Sequence, residues 1–195
     1  MKYFLFIVLF SCSMATYAQS DQIGLRIGEP LSITYKTYIK KDISAEAMIG
    51  RGGPNSIQYY RRAFENNRPL SSAIYNSQSA SNALSLNLRL AYHQNYNSEF
   101  NISEGLLLGY GGVGLQMRSV EVTYYYHTPT GSETLPVSTE TRNNIDFGPE
   151  AFIGTEYLFQ DLPISAFAEF GFFLELMDRL GHLKIQGGIG VRYLF

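Results

Sequence analysis

The sequence predicts an all-β protein, an eight-stranded antiparallel up-and-down transmembrane β-barrel. Three observations carry that prediction. Apolar and polar residues alternate with period two in eight separate segments, a pattern no amphipathic helix produces. After Phe10 no apolar run approaches the ~20 residues that a membrane helix needs. The composition is 45% hydrophobic and 14% aromatic, with 15 Tyr, 13 Phe, 18 Gly and no Trp, which suits strands crowded into a closed sheet.

The first element is an export signal. Lys2 supplies a positive n-region, residues 3–10 (YFLFIVLF) an unbroken apolar stretch, and Ala15-Thr16-Tyr17-Ala18 a small-residue cleavage site. Residues 1–18 therefore read as a signal peptide and 19–195 as the barrel. The alternative is a lipobox, Leu9-Phe10-Ser11-Cys12, with a lipidated Cys12 as the new N-terminus. Cleavage after Ala18 leaves a chain with neither disulfides nor a thiolate metal site, because Cys12 is the single cysteine.

Eight strands follow. Residues 22–28 set Ile23, Leu25 and Ile27 against Gly24 and Arg26. Residues 32–40 set Ile33, Tyr35 and Ile39 against Thr34, Lys36 and Tyr38, and residues 44–51 set Ala45, Ala47 and Ile49 against Glu46 and Met48. The clearest run is 83–93, where Leu84, Leu86, Leu88, Leu90 and Tyr92 alternate with Ser85, Asn87, Arg89, Ala91 and His93. In 106–118 the apolar phase moves from Leu106, Leu108 and Tyr110 to Val113, Leu115 and Met117, which a glycine bulge at Gly111-Gly112 would produce. The remaining strands are 145–159, 164–176 and 183–195. The two longest connections, 52–82 and 119–144, are the third and fifth, which fall on one side of an up-and-down barrel. The third lacks sustained periodicity and reads as an exposed loop. The fifth keeps period two at Val120, Val122, Tyr124 and Tyr126, so its strands continue toward a turn at Thr130-Gly131. The fourth, 94–105, is long for a turn on the opposite side unless its strands extend into it.

Face composition distinguishes a membrane barrel from a soluble one. An eight-stranded barrel has room inside only for side chains. Leu and Phe from every strand would crowd that interior, whereas the glycine-rich polar face fits it, so the apolar face meets lipid. The polar face carries six cations, Arg26, Lys36, Arg89, Arg118, Lys184 and Arg192. It also carries six anions, Glu46, Asp146, Glu150, Glu156, Glu169 and Glu175. Equal numbers are what a filled interior requires, because an unpaired buried ion is costly. A structural charge network in a plugged lumen is the resulting expectation.

The last nine residues, Gly187-Gly188-Ile189-Gly190-Val191-Arg192-Tyr193-Leu194-Phe195, place apolar or aromatic residues at alternate positions before a terminal Phe. This segment resembles the terminal signature of bacterial outer-membrane proteins. The mature chain resembles the small OmpA- and OmpX-like barrels, including Ile23-Gly24-Leu25-Arg26-Ile27-Gly28 and Ile33-Thr34-Tyr35-Lys36. The resemblance implies a bacterial outer-membrane location, outer-membrane lipid as the surroundings, and recognition of Tyr193 and Phe195 by the barrel-assembly machinery.

Residues with chemistry are sparse. His93, His127 and His182 lie on separate segments without metal-ligand spacing, and a net charge of −2 offers no basic excess for nucleic acid. No cofactor is expected. His182 with Asp178 is the one acid–base pairing placed where a lipid-modifying enzyme would need it. Two clusters, Tyr59-Tyr60-Arg61-Arg62 and Tyr124-Tyr125-Tyr126, concentrate residue types favoured at binding hot spots and suit a surface protein or glycan partner. Equally, the tyrosines suit an interfacial girdle and the arginines lipid phosphates. The expected function is thus a non-enzymatic barrel serving envelope integrity or surface interaction. The alternatives are a lipid-modifying enzyme and a narrow pore for small solutes.

Overall fold

Strand pairing follows the alternation. The computed structural model describes residues 21–81, 83–129, 136–177 and 179–195. The signal segment with Cys12, the Thr130-Gly131 turn and Asp178 lie outside the described residues. Eight strands form the ring: β1 (Gln22–Gly28), β2 (Leu31–Lys40), β3 (Ile43–Gly52), β5 (Ala83–Asn95), β6 (Leu106–His127), β7 (Val137–Leu158), β8 (Ile164–Leu174) and β9 (Leu183–Leu194). Each pairs antiparallel with its neighbours, and β1 closes the ring on β9 from Gln22↔Leu194 to Gly28↔Gly188. A closed ring leaves no open edge in the wall, the condition for a sheet to cross lipid.

Apolar residues of the wall strands point outward, and Leu25, Ile33, Leu88, Leu115, Ile153 and Ile189 are all more than half exposed. The polar face points into the lumen. Odd-numbered connections gather at one end, and the even-numbered ones join the two termini at the other. These are called the cap end and the terminal end below.

Strand β6 corrects the expected bulge. Its pairing with β5 and β7 runs through Gly111 and Gly112 without a register shift, and Leu108, Tyr110, Gln116 and Arg118 all face inward. The apolar residues change faces along an unbroken strand because the lumen near the terminal end is itself partly apolar. Gly112 makes room there: a Cβ on it would lie 2.7 Å from the ring of Phe152.

The third connection is the second correction. It is not an exposed loop but holds α1 (Ile57–Asn66) and a ninth strand, β4 (Ile74–Ala80). Ser56 caps α1 by accepting from the Tyr59 amide at 3.2 Å. Tyr59, Tyr60 and Phe64 share one helical face and are fully buried. Strand β4 pairs with β6 over residues 122–127, continuing the ladder beyond the stretch of β6 that β5 covers. Against them pack Val120, Val122 and Tyr124, forming an apolar core at the cap end. The fourth connection is a true loop with a short helix, α2 (Asn97–Phe100), into which β5 extends by only two residues beyond His93.

The fifth connection does prolong its strands. β6 and β7 each run for 22 residues, about twice what a membrane crossing requires. Along them the parity of inward residues never changes, yet polarity inverts. Below Ser119↔Ile145 the outward residues are Val113, Leu115, Met117 and Phe147; beyond it they are Glu121, Thr123, Thr141 and Asn143. Inward, Gln116 and Arg118 give way to Val120, Val122 and Tyr124. One sheet is thus apolar outward and polar inward on one side of that row, and the reverse on the other.

Candidate functional site

The lumen is built by inward-facing residues at alternate positions, and its charges fall into three groups. Nearest the terminal end, Arg192 reaches Glu46 at 2.6 Å and Glu156 at 3.0 Å. Lys36 also donates to Glu156, which accepts from Ser165 Oγ at 2.7 Å as well. In the middle, Glu169 accepts from Arg26 and, at 2.8 Å, from Arg89. Arg89 meets Glu150 in a two-point contact at 2.7 and 2.9 Å, and Asn87 donates to the same carboxylate. A neutral layer follows, with Gln186 donating to Gln116 at 2.8 Å and Gln116 to Ser85 at 3.0 Å.

The third group lies at the cap end. Arg118 stands 3.6 Å from Asp146 and 3.4 Å from Glu29, and Lys184 donates to Glu29 at 2.7 Å. Glu175 accepts from the Tyr59 hydroxyl at 2.6 Å. All twelve sequence-nominated charges therefore point inward, and charge balances two-to-two in the first and second groups, while Glu29 from the turn gives the third three anions for Arg118 and Lys184. In the first group two cations face two anions, Lys36 and Arg192 against Glu46 and Glu156.

Space inside is taken up by the side chains themselves. Arg192 lies over the Phe167 ring at 3.6 Å and Arg89 over Phe152 at 4.5 Å. The gap lined by Arg26, Arg89, Glu150 and Phe152 holds no room for a water molecule. Gly24 and Gly188 admit the guanidiniums: a Cβ on Gly24 would lie 2.6 Å from Arg192 Cγ, and one on Gly188 2.8 Å from Arg26 Cζ.

The cap seals the mouth through polar contacts from around the rim. The Gly53 carbonyl accepts from Arg118 and, at 3.2 Å, from Lys184, while its amide donates to Glu29 at 2.8 Å. Asn55 lies between Arg118 and Asp146. Burial raises the Tyr60 hydroxyl to about 12, opposed by its bond from the Asn55 amide. His182 lies against Tyr59 with ring centroids 5.1 Å apart. Burial first and Arg179 second hold it below the ordinary histidine range.

The loop-contact residues divide. Tyr59, Tyr60 and Tyr124 are buried in the cap core, and Tyr126 packs against it, so they are not the free surface that the sequence suggested. Arg61 and Arg62 remain exposed, with Arg61 paired to Glu65 at 2.9 Å. Tyr125 is partly exposed on the opposite face of the sheet. At the terminal end Tyr193 and Phe195 face outward, and the Phe195 amide donates to the Asp21 carbonyl. His93 is buried between Tyr38 and Tyr110, 2.8 Å from Ser44 Oγ, and the described residues bring no other histidine near it.

Sequence reasoning missed Glu29, Asn87, Tyr110 and Ser165. Asn87 and Ser165 sit on the polar face of their strands, whereas Tyr110 counts in the sequence among the apolar residues ahead of the expected bulge and faces inward instead. Glu29 belongs to a turn, which carries no periodicity.

No family model matches the chain, and no curated protein matches it. Among solved structures it is similar to the N-terminal β-barrel domain of Pseudomonas aeruginosa OprF. The TM-score is 0.52 and the identity 12%, over 90% of this chain and 96% of that one. The chain has the fold of the OmpA-type barrels. At that identity the likeness is one of architecture, and this barrel carries a helical cap held by its own residues Gly53, Asn55 and Tyr59.

Proposed function

We propose that this chain is a non-enzymatic, integral outer-membrane barrel with a closed lumen, serving envelope integrity or surface contact. The polarity inversion at Ser119↔Ile145 carries the reading: a belt that is apolar outward needs lipid around it, and the capped sheet beyond needs water. The cap then faces the outside of the cell and both termini face the periplasm. Surface contact falls to Arg61, Arg62, Tyr125 and the hairpin of β6 and β7, with a protein or glycan as partner. Tyr193 and Phe195 display the aromatic edge that the assembly machinery would read. Filling of the lumen by paired side chains favours a structural role over conduction.

A detergent gel run with and without boiling tests the assignment. The folded barrel should migrate differently in the two lanes, and identical migration together with solubility in buffer would overturn it. Planar-bilayer recording of the same material should give no regular conductance steps. Steps that change when Arg89 or Glu169 is neutralised would replace the structural reading with a pore.

A further inference from the structure

One side of the lipid-facing belt is concave. Along β3 the outward side chains are Ala45, Ala47, Ile49 and then Arg51. The two alanines form the floor of a groove bordered by Tyr35 on β2 and Leu88 on β5, the register neighbours of Ala47, and past Leu88 the hollow runs on to Leu115 and Pro149. It consists of two adjoining hollows of about 690 and 370 Å³ that share Tyr35, Ala47 and Leu88. The Tyr35 hydroxyl donates to Asp21 at 3.0 Å, which fixes that border.

The same outward row continues to Arg51 at the cap end of the strand. Arg51 is exposed, flanked in register by Leu31 and Leu84, and makes no ion pair among the described residues. A bare cation at the upper margin of an apolar surface matches a phosphate at the headgroup level. The dimensions agree. Six residues separate Ala45 from Arg51, about 20 Å along a strand, or roughly 15 Å of depth at a tilt near 40°. That is about half of a ~30 Å hydrocarbon core, the length of one leaflet's acyl chain.

We infer that the groove is a binding site for an anionic outer-leaflet lipid, with its phosphate on Arg51 and one acyl chain laid over Ala47 and Ala45. The inference rests on the outer-membrane reading above. Arg51 supplies charge and a two-point fork, and the alanines supply a trough in which the chain gains contacts on three sides instead of one.

The test uses the full mature barrel in nanodiscs of phosphatidylcholine containing a minor fraction of lipid A, transferred to mild detergent for native mass spectrometry. Wild type should retain one lipid A per barrel. Arg51→Gln should lower that occupancy roughly five-fold, the effect of one cation at a charged interface. Ala47→Phe should lower it by blocking the floor, while Ala168→Phe, outward on β8 across the ring from β3, should leave it unchanged. Equal retention of dephosphorylated lipid A, equal retention by both groove variants, or a mass of two barrels would each overturn the site. A shift on boiling, read from the same samples, keeps the outcomes apart. A barrel that shifts but holds no lipid defeats this inference alone, whereas one that neither inserts nor shifts defeats the membrane reading.

Discussion

Arg192 illustrates how a charge survives inside the wall. Its guanidinium contacts Glu46 and Glu156 and lies over the ring of Phe167, and Gly24 leaves the space its stem needs. Taking an ion out of water costs several kcal/mol unless partners compensate for it, so each member of the group depends on the others. Arg192→Met leaves Glu46 without the guanidinium it pairs with and Glu156 with Lys36 as its cation. The expected loss is about 3–5 kcal/mol, read from urea unfolding of the barrel in vesicles. A loss below about 1 kcal/mol, the size of an exposed pair, would contradict the buried network.

The element with most to lose is α1. It is only 10 residues long, short for a helix stable on its own, and it is held by its apolar face and by rim charges at its N-terminal end. Tyr59→Phe removes the donor that Glu175 accepts from at 2.6 Å and should destabilise the cap by about 1–3 kcal/mol. Limited proteolysis within 53–73 would register that as faster cleavage, with the barrel's shift on boiling preserved. His182 gives the same element a pH dependence. Its folded pKa lies below the ordinary value, so the neutral form is favoured in the cap. The stability it supports is complete above pH ~6.5 and declines as pH falls through that value toward the lowered one. Hydrogen exchange across 57–66, corrected for intrinsic rates, should therefore be faster at pH 5 than at pH 7.5, and His182→Gln should flatten the difference. Equal protection at both pH values would rule out this coupling.

For the whole molecule, the proposed reading makes the inversion row the boundary between two solvents along continuous strands. Leu115 lies four residues below Ser119 on the outward face, and Thr141 pairs with Thr123 beyond the row. An arginine at position 115 should cost about 2–4 kcal/mol and one at 141 between about 0 and 1, by unfolding in vesicles. Similar costs at the two positions would mean that the belt does not meet lipid. The closed ring adds a constraint of its own. The β1–β9 seam joins the strands furthest apart in sequence, from Gln22↔Leu194 to Gly28↔Gly188, so its closure carries the largest loop-entropy cost of the wall pairings.

The eight wall strands and, apart from the first part of β6, their inward and outward faces were legible in the sequence because alternation is a local property: neighbouring side chains of a strand must point opposite ways. The six cations and six anions on the strands were legible for the same reason, though Glu29, which joins them from a turn, was not. Partner choice was not. Arg26 finds Glu169 at a separation of 143 residues, and Tyr59 finds Glu175 at 116, distances over which a sequence carries no register. The cap was hidden more thoroughly. Residues 53–73 alternate at neither strand nor sustained helix period, because α1 needs only one apolar face and takes its position from Glu29, Arg118, Asp146 and Lys184 on four other segments. Periodicity determined that this chain is a barrel with a charged interior. Only ring closure, by bringing distant segments around one mouth, decided which charges pair there and that the mouth is covered.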